Sequence, residues 1–182
     1  MQLLDLFKRF FGRASDPSSA EMRCIVLLQR EAHRFSGVEL QAAAERGWSK
    51  AFDGQEDAMY FVSADHTFLD VVKAGPHVIR ITSVHERYAQ DDEYALSQLP
   101  QPEQRKAWNE HHACTFLELF NDLESRSIPD KEAYSSLARL ALQLGDANCT
   151  AVFMPIKNIM MPNDGAAEQG LWFLINKELP LP

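Results

Sequence analysis

Apolar residues along the chain fall either into short unbroken runs or into stripes with helical spacing. The run over residues 22–29, MRCIVLLQ, is typical of a strand that is buried on both faces. Ser36 and Glu39 follow at the spacing of a helix capping box. The apolar stripe of that helix recurs at every fourth residue: Leu40, Ala44 and Trp48. This part of the chain therefore predicts a strand followed by a helix that packs on a sheet.

Three more strands are predicted before residue 85. Residues 58–63, 67–73 and 77–84 are short, rich in β-branched and aromatic residues, and separated by polar or turn residues. The segment 74–76, Ala-Gly-Pro, is a tight turn, so the strands on either side of it are expected to form a hairpin.

A second unit repeats this order further along the chain. Residues 111–120 are predicted to form a strand, residues 130–144 a helix between a proline and a glycine, and residues 150–154 another strand. Residues 171–175, LWFLI, are apolar, and their pattern leaves a short helix and a strand equally open.

The order of the elements predicts an α+β fold. We expect a mixed, mainly antiparallel sheet that is covered by helices over residues 37–51 and 130–144. Two strand-helix-strand units would share this sheet in a single domain, residues 21–182. The apolar fraction of 46% is enough to build a core without disulfide bonds.

Residues 1–12 predict a separate amphipathic helix. Lys8 and Arg9 lie on its polar side, and a small, polar linker follows over residues 13–20. Its apolar docking face is formed by Leu3, Leu6, Phe7, Phe10 and Phe11. The helix could dock on the domain, on a partner or on a membrane surface, although a single short helix is a weak membrane anchor. We expect the domain to keep its fold when residues 1–18 are removed.

Residues 86–103 show no clear period and predict a long surface loop. The loop carries three consecutive acidic residues, Asp91, Asp92 and Glu93, and two prolines stiffen its end. Long loops in compact domains often have a function, so this acidic segment is a candidate binding surface. A solvated connector is the alternative.

The distribution of charge limits the class of partner. The net charge is −8, and residues 1–50 hold 8 Lys and Arg against 6 Asp and Glu, whereas residues 51–182 hold 10 against 20. Nucleic-acid binding needs clustered cations, so the acidic body argues against it. A protein partner with a basic surface is the expected complement.

The three cysteines, Cys24, Cys114 and Cys149, each lie within an apolar run. Their odd number and the lack of a CxxC motif predict buried, reduced thiols, as is typical of a cytoplasmic protein. No apolar run approaches the ~20 residues that span a bilayer.

Candidate chemistry is confined to one region. The six histidines form no HExxH motif, and the sequence contains no phosphate-binding glycine loop and no nucleophile elbow. His111 and His112 are neighbours on a predicted strand and should point to opposite faces, with His112 on the face of Glu118. That histidine could pair with the carboxylate as an acid and a base, or could be a hydrogen-bonded core residue. The sequence predicts no metal site and no cofactor.

Two short motifs of this sequence resemble stretches of an uncharacterised family of bacterial α+β domains. They are Trp108-x-x-His111-x-Ala113 before an apolar strand, and Tyr134-x-x-Leu137-Ala138-x-Leu140 before the strand that ends in Met154-Pro155. The similarity covers residues 22–162, and it implies the fold and a bacterial origin. It implies no reaction and no catalytic residues.

Two functions remain open from the sequence. The first is a non-catalytic protein-binding module of the bacterial cytoplasm, such as an immunity or accessory protein, that uses its acidic surface. The second is a small-molecule-binding domain or an enzyme with a pocket near Trp108, His111 and His112. A deep pocket at these residues would favour the second function, and a filled core with both histidines bonded to backbone groups would favour the first.

Overall fold

The computed structural model describes residues 23–54, 56–65, 69–89, 92–120 and 128–176. The predicted N-terminal helix and linker, residues 1–20, lie outside the described residues, as does Asp91. In the described part, the elements in chain order are β1 (Cys24–Gln29), α1 (Gly37–Trp48), β2 (Tyr60–Asp65), β3 (Leu69–Ala74), β4 (His77–Val84), α2 (Asp92–Ser97), α3 (Pro102–Glu110), β5 (Ala113–Phe120), α4 (Asp130–Leu144), β6 (Cys149–Met154), β7 (Ile159–Pro162) and α5 (Ala166–Asn176).

The seven strands form one sheet in the order β2-β3-β4-β5-β1-β6-β7, and every described pair is antiparallel. The α+β class is therefore confirmed. The two predicted units are both present in the sheet, but they interleave. β1 belongs to the first unit, yet it lies between β5 and β6 of the second unit. This arrangement places the all-buried β1 in the interior of the sheet, next to the central strand β5.

One face of the sheet is covered by α1, α4 and α5. The predicted capping box of α1 is present: the Glu39 amide donates to the Ser36 hydroxyl, and the Ser36 amide donates to the Glu39 carboxylate. α4 has the predicted bounds, and its apolar stripe is buried. The segment 171–175, which the sequence left undecided, belongs to helix α5. This face holds the larger of the two hydrophobic cores.

The opposite face is covered by α2 and α3 over β1, β6, β7 and the first half of β5, and here the sequence prediction was wrong. Residues 86–103 were expected to form a surface loop, but they contain α2 and the start of α3. Tyr88, Ala89 and Ala95 are buried in a second core together with Trp108 and Phe116. α2 has only six residues, less than two turns, so its sequence cannot display a helical period.

All three cysteines are free and buried, as predicted.

β7 was not predicted, because it has four residues and ends in proline. The hairpin of β3 and β4 is confirmed, and Gly75 turns between them with a φ of 62°, which favours glycine.

Candidate functional site

The predicted candidate residues Trp108 and His111 lie at the junction of α3 and β5. Trp108 is in the last turn of α3, and His111 follows the helix as its C-terminal cap residue. Their exposed fractions are 2% and 0%, and their rings lie 4.8 Å apart in an edge-to-face arrangement. Tyr88 packs on the same tryptophan. These aromatic rings fill the second core.

Both ring nitrogens of His111 bond to backbone groups. The Tyr88 amide donates to Nε2 at 3.1 Å, so Nε2 is an acceptor and Nδ1 carries the hydrogen. Nδ1 then donates to the Trp108 carbonyl oxygen. Arg87 also donates to that oxygen, at 2.9 Å. The ring therefore ties the chain before α2 to the end of α3, which is a structural role.

The predicted faces of the two histidines were wrong. His111 precedes β5 and turns into the core that contains Cys114 and Phe116, whereas His112 is exposed. The alternation of a strand begins only at Ala113, because the backbone enters β5 directly from the end of α3. His112 is held through its amide, which donates to the Gln29 carbonyl at 2.8 Å.

Glu118, the suggested partner of His112, has a different partner. Arg80 on the neighbouring strand β4 donates to its Oε2 at 2.6 Å. Burial raises the pKa of Glu118, and the charge of Arg80 lowers it by less. No acid–base pair with His112 is formed, since Glu118 lies towards the far end of β5.

Two of the three residues of the predicted acidic segment lie in the described part of the chain, at the start of α2. Glu93 is an exposed residue in the first turn of α2. Asp92 begins this helix, and Asp91 lies outside the described residues. The carboxylate of Glu93 lies at the start of a helix and is stabilised by the helix dipole, which gives it a local role besides any role in binding.

A cleft of about 340 Å³ lies elsewhere, between the end of α4, β6 and α5. The sequence did not predict it. Its floor is formed by core residues of the α1 side of the sheet: Ala141, Cys149, Val152, Ala167 and Leu171. Trp172 lines one wall and is 49% exposed, and the adjacent Phe173 is 39% exposed. A cleft with both polar and apolar lining residues beside two exposed aromatic side chains is a candidate binding site.

Asn163 fixes one end of the cleft. Its Nδ2 donates to the Asp146 carbonyl at 3.0 Å and to the Cys149 carbonyl at 2.9 Å. Its amide donates to the Thr150 carbonyl at 2.8 Å. Because these bonds join the start of β6 to the segment after β7, the end of the cleft is built by hydrogen bonds rather than by packing alone.

Glu168 is the one charged residue among those that line the cleft, and it lies in the first turn of α5. In the described part of the chain, its carboxylate forms no ion pair. Gln143 also lines the cleft, and it accepts a hydrogen bond from Arg46 at 2.9 Å. The carboxylate of Glu168 favours a ligand that carries positive charge.

The thiol of Cys149 in the floor of the cleft is not suited to catalysis. Burial raises its pKa to about 12, with a smaller contribution from the charge of Asp146. The reactive form of cysteine is the thiolate, which is scarce at neutral pH when the pKa is this high. Within the described ranges, no three His, Cys, Asp or Glu side chains are grouped so as to hold a metal ion.

Comparisons of the chain with protein-family models, with curated proteins and with solved structures find no significant match. The resemblance of residues 22–162 to a bacterial α+β family therefore stays a prediction. Among the helices of the described residues, none has both the length and the apolar content needed to cross a membrane.

Proposed function

We propose that this chain is a non-catalytic protein-binding module, and that its cleft takes an apolar side chain from a basic partner. The observation that carries the proposal is Trp172, which stands half-exposed on the wall of a cleft that also contains the carboxylate of Glu168. Exposed tryptophan beside a pocket is the residue type most enriched among energetic hot spots of interfaces.

The anatomy of the cleft matches that of a protein interface. An interface combines an apolar centre with a polar rim, and the centre contributes most of the affinity. Here Leu171 and Val152 form the centre, and Phe173 extends the apolar surface beyond the cleft. The carboxylate of Glu168 and the net charge of −8 would attract a cationic partner and speed its association.

The hydrogen bonding of His111 also supports a binding module over an enzyme. Both of its ring nitrogens are engaged by backbone groups inside a filled core, and Trp108 is packed against it. We place the module in the bacterial cytoplasm, as an immunity or accessory protein. The three buried free cysteines are compatible with a reducing compartment.

A paired capture experiment tests this function. Full-length wild-type protein, Trp172→Ala and Tyr94→Ala are used as baits in one bacterial lysate at low and moderate salt. Tyr94 is 45% exposed on α2 and serves as the matched control. We expect wild type and Tyr94→Ala to retain the same protein, Trp172→Ala to lose about tenfold or more of it, and salt to weaken capture. Equal recovery by Trp172→Ala would contradict the proposal.

A small-molecule function is the second candidate, and the volume of the cleft favours it. About 340 Å³ falls at the lower end of the range for ligand pockets. This cleft is a better location than the predicted one, because Trp108 and His111 are enclosed in the core. Native mass spectrometry of the purified full chain would show an added mass that is lost in Trp172→Ala, whereas a protein-binding module would carry none.

A further inference from the structure

The two faces of the sheet are covered unequally over β2, β3 and β4. Towards α1 and α4, Val72, Ala74, Ile79 and Ile81 are fully packed. On the other side, α3 packs on β1, β6 and β7. Alternate residues of β3 and β4 on that side are only half-buried. Among the described residues, no helix covers this part of the sheet, which we call the open half-face.

The open half-face contains a row of large side chains in register across four strands. Phe61 pairs with Lys73, Lys73 with Val78, and Val78 with Phe120. Val71 lies in the next row, beside Arg80. Phe120 at the end of the row is 51% exposed. Phe61, Val78 and Phe120 therefore place apolar side chains on one side of the sheet beside Val71, and an exposed apolar surface is typical of an interaction site.

We propose that residues 1–12 of this chain dock across the open half-face as an amphipathic helix. The apolar side of this segment, which includes Phe7, Phe10 and Phe11, is long enough to match the row. A helix of 12 residues is about 18 Å long, and a row across four strands is about 14 Å wide. An isolated helix of this length is marginal in water, so docking would also stabilise it.

The path of the chain leads to this face. Cys24 pairs with Glu118, and the Arg23 carbonyl accepts from the Leu119 amide at 2.9 Å. The chain before Arg23 therefore leaves the sheet beside Phe120, at one end of the row. Residues 13–22 can span up to about 33 Å when extended, which is more than twice the width of the row.

Glu118 on this side of the sheet is 1% exposed, and its Oε1 has no hydrogen-bond donor among the described residues. A buried carboxylate oxygen normally has a donor, so a donor from outside the described residues is expected here. The cleft at Trp172 is on the other side of the sheet, so this proposal does not depend on the proposed function.

Hydrogen exchange of the full chain, followed by mass spectrometry, tests the docking. In wild type we expect amides of residues 1–12 to exchange about tenfold or more slowly than in an unstructured chain. Phe120→Ser should abolish that protection. Phe173→Ser is the matched control, since this residue is 39% exposed on α5 and should leave residues 1–12 protected.

A second variant keeps the test decisive if Phe120→Ser fails to fold. Phe7→Ser changes the docking segment itself and should raise exchange in β3 and β4 while leaving β1 unchanged. Three results would overturn the proposal. They are unprotected residues 1–12 in wild type, protection that grows with protein concentration and so reports a second copy, and protection that appears only with anionic vesicles.

Discussion

Arg80 and Glu118 form an ion pair across β4 and β5 in which the carboxylate is buried and the guanidinium reaches the surface. The shortest distance between them is 2.6 Å, and the side chains are 25% and 1% exposed. Removing one partner of such a pair destabilises the folded state by more than the intact pair stabilises it, because the remaining charge stays buried.

Arg80→Met is therefore expected to destabilise the domain by roughly 3–5 kcal/mol at pH 7. The double variant Arg80→Met/Glu118→Gln should recover much of this loss. Chemical denaturation of wild type, Arg80→Met, Glu118→Gln and the double variant gives the coupling energy. Additive losses from the two single substitutions would show that the pair is not coupled.

The same pair predicts a pH dependence. The pKa of Glu118 is raised in the folded state, so the folded protein binds a proton more readily than the unfolded chain does. Its contribution to stability is greatest below the usual pKa of 4.5 and is lost as the pH rises through the folded-state pKa. Without Arg80 the pKa should rise further, so the loss in Arg80→Met should be smaller at pH 4.5 than at pH 7. If Arg80→Met lowers the free energy of unfolding, relative to wild type, by the same amount at both pH values, this assignment is contradicted.

The two adjacent histidines should respond very differently to substitution. His111→Ala removes two hydrogen bonds, leaves the Tyr88 amide without its acceptor and opens a cavity beside Trp108. We expect a loss of roughly 2–4 kcal/mol. His112→Ala is the control, and since its side chain is exposed its effect should stay within about 0.5 kcal/mol. Similar losses in both variants, measured by urea denaturation, would be inconsistent with the packing described.

The three cysteines should be inert in the folded protein. Burial is the main cause that raises the pKa of both Cys114 and Cys149 to about 12, and it also raises that of Cys24. A thiol reagent at pH 8 should therefore label none of them within minutes, and should label all three in concentrated guanidinium. Rapid labelling of the native chain would show that a thiol is accessible.

Removal of residues 1–18 should leave a folded domain, because both described cores lie within residues 24–174. The far-UV circular dichroism should keep the signature of the α+β fold. The melting midpoint should fall by about 2–8 °C, which corresponds to the loss of 1–2 kcal/mol of docking energy. Insoluble or unfolded truncated protein would mean that the segment belongs to a core.

Elements with strong local signals were predictable from the sequence. α4 was found at both ends because Pro129 and Gly145 flank it, and the start of α1 followed from the Ser36 and Glu39 capping box. β1 was recognised as a fully buried strand from its unbroken apolar run. In these elements the local preference and the tertiary packing agree.

Features that depend on tertiary contacts were missed. α2 has one deeply buried residue, Ala95, whose burial depends on Tyr88 and Trp108 beyond the helix. The cleft arises where Ala141 and Leu171 come together, two residues far apart in the chain. The exposure of Trp172 could not be predicted, because the sequence did not show whether residues 171–175 form a helix or a strand.

The position of β1 between β5 and β6 has a consequence for how the chain acquires its structure. Val26 pairs with Phe116 on one side and with Phe153 on the other, so neither partner exists while the first third of the chain is being synthesised. The middle of the sheet closes only after β6 has left the ribosome. Of two fragments divided within residues 121–127, the first would keep the β1–β5 pairing but lack β6, and the second would lack β1 and so both pairings. We expect the two fragments to fold only by recombining with each other.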